Sequence, residues 1–65
     1  MRTTRQRPQV GNTVKVIGAS PYGSTGTVTR IFPHEIGRPD YEVEIAQGVW
    51  AGQRLGFWPG ELEVI

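Results

Sequence analysis

At 65 residues, with no cysteine and one histidine, the chain is one small domain, and disulfides and thiolate metal sites are excluded. The net charge of +1 is unevenly spread: Arg2, Arg5 and Arg7 open the chain, while the remainder holds four cations against six acids. A mildly acidic body excludes the broad basic face that grips nucleic-acid backbones, and leaves the N-terminal cations as the main contact for an anionic partner.

A domain of this size buries only about 60% of the surface its unfolded chain exposes. Good packing or self-association therefore has to replace the missing staples. No apolar run reaches the roughly 18 residues of a membrane span, and the opening MRTTRQRPQV lacks the apolar core of a secretory signal. The expectation is a cytoplasmic protein with no membrane contact, no metal and no cofactor.

Residues 1–9 are polar and basic and read as a flexible arm. Residues 10–65 read as the folded domain. The first strand is Thr13 to Ile17, with Val14 and Val16 on one face. GASPYGSTG then supplies a long turn-rich loop, because its glycines reach positive φ and its proline fixes φ. Gly26 to Phe32 is rich in β-branched residues and reads as the second strand. Pro33 and Pro39 interrupt the ladder on either side of Gly37. YEVEIA is the clearest strand: Tyr41, Val43 and Ile45 face one side and Glu42 and Glu44 the other. QGVWAG is a turn. Gln53 to Trp58 is a fourth strand, with Leu55 and Phe57 facing in. PGEL makes a corner with one turn of 3₁₀ helix, and EVI closes as the fifth strand.

Five short strands with glycine-rich turns predict an all-β fold, a five-stranded SH3-like barrel. Its expected core is Val14, Val16, Val28, Tyr41, Val43, Ile45, Leu55, Phe57 and Leu62.

VGNTVKVIGASPYGSTGTVTRI resembles a KOW-type motif, with Gly11, Val14, Val16, Gly23, Gly26 and Val28 in its glycine and valine places. That resemblance implies binding of RNA or of partner proteins. FWPGELEVI resembles the close of SH3-like barrels. With Trp50, Phe57, Glu61, Leu62 and Glu63, it is similar to the SH3-like accessory subunits of photosynthetic complexes, photosystem I subunit IV and the ferredoxin-docking subunit of the NDH complex. Those subunits dock proteins. A more distant likeness is to the type II (plasmid) dihydrofolate reductases, short SH3-like chains that work as homotetramers. Where they carry Val-Gln-Ile-Tyr, this chain reads Arg54-Leu55-Gly56-Phe57. That likeness implies an active site formed only in an oligomer.

The candidate binding residues are Tyr22, Trp50 and Trp58. Tryptophan is enriched at binding hot spots, Trp50 and Tyr22 lie in loops, and Trp58 has the phase opposite to Leu55 and Phe57. The competing role for all three is packing in so small a core. An outward Trp50 and Trp58 would form, with Tyr22, one apolar patch covered by a protein partner or a second copy. The candidate nucleic-acid contacts are Arg2, Arg5, Arg7, Lys15, Arg30 and Arg54. GASPYGSTG lacks the lysine and following helix of a phosphate loop. His34 reads as exposed, and Glu42 with Glu44 as the wet side of a sheet. The leading expectation is a non-catalytic protein-binding module that self-associates or docks a partner. The alternatives are an RNA- or DNA-binding module and an oligomeric enzyme.

Overall fold

A computed structural model describes residues 7–65. Strand formation follows the alternation of side chains. In β1 (Thr13–Val16), Val14 and Val16 are fully buried while Thr13 and Lys15 are exposed. In β3 (Tyr41–Ile45), Tyr41, Val43 and Ile45 are buried and the two glutamates between them half-buried. β2 spans Thr25–Ile31, β4 Arg54–Phe57 and β5 Leu62–Val64. Single 3₁₀ turns occupy Gly48–Trp50 and Pro59–Glu61, the second at the corner that PGEL predicts.

All pairings are antiparallel, in one sheet of order β4-β3-β2-β1-β5. Every strand contributes to one core: Val14, Val16, Val28, Tyr41, Val43, Ile45, Phe57 and Leu62. The described residues include no helix beyond the two 3₁₀ turns. Only the sheet's own curvature can therefore cover its inner face, which is why the strands wrap into a small barrel. A register shift between Val28 and Arg30 in the β2–β3 ladder marks an irregularity of the kind that bends a strand. Burying each large side chain contributes roughly 1.5–3 kcal/mol.

Leu55 departs from the expected core. It packs against the core but stays half-buried, because β4 is an edge strand with no neighbour beyond it. The other eight expected core residues are buried. β1 ends at Val16, one residue short of the expectation, although the Ile17 amide still donates to the Glu61 carbonyl (2.8 Å) on the β5 side.

The expected arm lies largely outside the described residues, Arg2 and Arg5 included. Within the expected arm, Pro8 is buried. The Gln9 amide donates to Asn12 Oδ1 (2.8 Å), and the Asn12 amide donates back to the Gln9 carbonyl (2.9 Å). Gly11, at φ 94°, turns the chain so that its amide reaches the Val28 carbonyl. No helix among the described residues is long and apolar enough to cross a membrane.

Candidate binding surface

The chain keeps both tryptophans out of its core. Trp50 is 41% exposed, Trp58 42% and Tyr22 77%, as phase and loop position predict. Backbone bonds hold the segments that carry them. In the β1–β2 loop, the Gly23 amide donates to the Val16 carbonyl and the Val16 amide to that of Ser24, both at 2.8 Å. In the β3–β4 turn, the Ile45 amide donates to the Gln53 carbonyl (2.9 Å) and the Gly52 amide to the Ile45 carbonyl (2.8 Å). Gly48 and Gly52 sit at positive φ there, so glycine is what lets the turn close.

The three aromatics do not make the single patch that the sequence suggests. The Ala46 amide donates to the Thr25 carbonyl (2.8 Å), which joins the feet of the β1–β2 and β3–β4 loops. Tyr22 and Trp50 therefore lie on neighbouring loops. Trp58 follows the far end of β4, where Phe57 pairs with Tyr41, whereas Arg54 pairs with Glu44 at the Trp50 end. The length of the β3–β4 hairpin separates the two tryptophans.

Around Trp58 the backbone is fastened by Glu61. Its Oε1 accepts from the Trp58 amide (3.0 Å), and its own amide donates to the Trp58 carbonyl (3.0 Å). This reciprocal arrangement starts the Pro59–Glu61 turn. Glu61→Ala is expected to cost about 1 kcal/mol of stability. An unchanged urea midpoint for this variant would show that the cap is idle.

The β2–β3 loop folds back over the outer face of β4, so that a Cβ on Gly56 would meet Pro39 Cγ at 2.9 Å. The loop is closed by the Phe32 amide donating to the Asp40 carbonyl (2.7 Å). His34 Nδ1 lies 3.2 Å from Asp40 Oδ1, and His34 is exposed as expected. Arg38 pairs with Glu35 at 2.9 Å. The guanidiniums of Arg30 and Arg38 both stand over the Phe32 ring, 5.7 and 5.8 Å from its centroid. Sequence reasoning missed Phe32 and Arg38. The one available signal is the spacing of Arg30 and Phe32, two apart along a strand and so on the same face.

The candidate nucleic-acid contacts are scattered. Arg54 Nε stands 3.5 Å from Glu44 and 3.9 Å from Glu42. Glu42 also accepts from Thr29 Oγ1 (3.1 Å). Lys15 pairs in register with Glu63 across β1 and β5. Arg30 belongs to the Phe32 cluster, and Arg7 is exposed beside buried Pro8. Of the positions that match the reductase motif, Leu55 packs on the core and Phe57 is buried in it. Comparison with protein-family models, curated proteins and solved structures returns no match.

Proposed function

We propose that this chain is a non-catalytic protein-docking module that binds through its loop aromatics. The observation that carries the reading is the placement of the two tryptophans. A domain this small needs apolar burial, yet its two largest apolar side chains remain more than a third exposed while four valines with Tyr41, Ile45, Phe57 and Leu62 fill the core. Exposed aromatics on firmly held loops suit binding: they offer large contact area, and little conformational freedom is lost on association. Val49, 90% exposed beside Trp50, extends the apolar character of that turn.

The test places a photoreactive benzophenone side chain at position 50 or 58 in the full chain within its native cells. Discrete cross-linked protein species are expected from these positions and not from exposed Thr27 on the β2 outer face. A product of twice the chain's mass identifies a second copy as the partner. Nuclease-sensitive products would favour nucleic-acid binding instead. A folded protein that gives no cross-link from either position would overturn the docking reading.

A further inference from the structure

The Arg30–Phe32–Arg38 cluster has a geometry that ion pairing within the fold does not explain. A guanidinium over a ring face at this distance is attracted without spending its N–H donors on a carboxylate, so those donors stay available to a partner. The ring contact also restricts a long side chain before any partner arrives, which lowers the ordering cost of binding. Among the described residues, Arg30 makes no ion pair. Arg38 makes one, with Glu35, and both of those side chains are more than half exposed. Such a pair is weak and easily exchanged for a better acceptor. The loop that brings Arg38 to Phe32 also presents Ile36 at its tip, 93% exposed, beside Gly37 at φ 86°.

We propose that Arg30 and Arg38, held over Phe32, anchor an acidic protein segment that carries an apolar residue next to its carboxylates. This rests on the docking reading and names the chemistry of the partner. The two forks match carboxylates bidentately, and Ile36 with the rim of Phe32 offers the apolar contact. The rest of the surface favours a short acidic segment over a long polyanion. Glu42, Glu44, Glu61 and Glu63 lie on the same small body, and acids outnumber cations among the described residues. Gripping a nucleic-acid backbone draws on several cations at once, and the cluster supplies two.

The experiment measures fluorescence anisotropy with the full chain and three labelled probes. These are a glutamate-rich peptide with a central phenylalanine, its glutamine counterpart, and an oligothymidylate of equal charge. The glutamate peptide is expected to bind, to weaken as salt rises, and to lose about tenfold in affinity on Arg30→Ala or Arg38→Ala. Arg30→Lys keeps the charge but not the fork, and falls between. Thr27→Ala leaves binding unchanged. Unaltered circular dichroism checks that the exposed arginine variants remain folded. Equal binding of the glutamine peptide, no binding of the glutamate peptide, or indifference to both arginine substitutions overturns the proposal. Tighter binding of the oligothymidylate through the same arginines overturns it in favour of nucleic acid. If the peptide arm fails while cross-links from position 50 or 58 persist, docking stands and only the acidic partner falls.

Discussion

Gly26→Ala is expected to cost about 2 kcal/mol net and to lower the urea midpoint of the chain markedly. Gly26 lies in β2 between Val14 of β1 and Ile45 of β3, and it is buried. A Cβ there would press on the Glu44 carbonyl oxygen and stand 2.8 Å from Val43 Cγ1. The carbonyl is backbone inside the sheet, so it cannot move aside without disturbing the β2–β3 ladder. Alanine would ordinarily gain about 0.5–1 kcal/mol over glycine within a strand. Overpacking of about 1–3 kcal/mol, occasionally more, exceeds that gain and decides the sign. A chain of this length has about 3–10 kcal/mol of total stability. Gly60→Ala is the control, because nothing lies within 4 Å of the added carbon. Urea titration followed by circular dichroism reads both. Equal midpoints would mean that β2 and β3 do not approach at Gly26 as described.

What the sequence reveals depends on whether a feature is local. The burial of Tyr41, Val43 and Ile45 follows from period-two alternation alone, and so does the placement of Val14 and Val16. Leu55 has the right phase, but its half-burial depends on β4 lying at the sheet edge, and strand order is not a local property. Gly26 reads as a strand opening in a β-branched run. Its reason for being glycine, the close approach of Glu44 and Val43, appears only when β3 is in place. The exposure of Trp50 and Trp58 is legible from turn position and phase. Their separation is legible too, since the strand between them rises about 3.3 Å per residue. The expectation of one patch weighed exposure and overlooked that length. The Phe32 cluster is the least legible feature. Arg38 reaches the ring only because the loop closes through the Phe32 amide and the Asp40 carbonyl.

Phe57→Ala is expected to be the most damaging single truncation, costing about 3–5 kcal/mol. Phe57 is the one residue of β4 that is fully inside: Arg54 and Gly56 are exposed and Leu55 is half-buried. The edge strand is therefore fixed by its ladder to β3 on one side and by the Phe57 ring in the core, with half-buried Leu55 packed beside it. Removing the ring leaves a cavity against Tyr41, its partner in register. Refilling that cavity would require shifting valines that the other ladders hold in place, so collapse is limited and the cavity penalty stays high. With about 3–10 kcal/mol available in total, the alanine variant should be unfolded or close to it at 25 °C. Phe57→Leu keeps most of the volume and should lose less than about 1.5 kcal/mol. That pair also separates fold from function, since Trp58 follows Phe57 directly. The leucine variant should retain cross-linking from position 58, whereas the alanine variant should lose it together with its β-sheet circular dichroism. Should Phe57→Ala keep a near-native urea midpoint, β4 would have to be held by something other than its core anchor, and Trp58 would lose its fixed place on the surface.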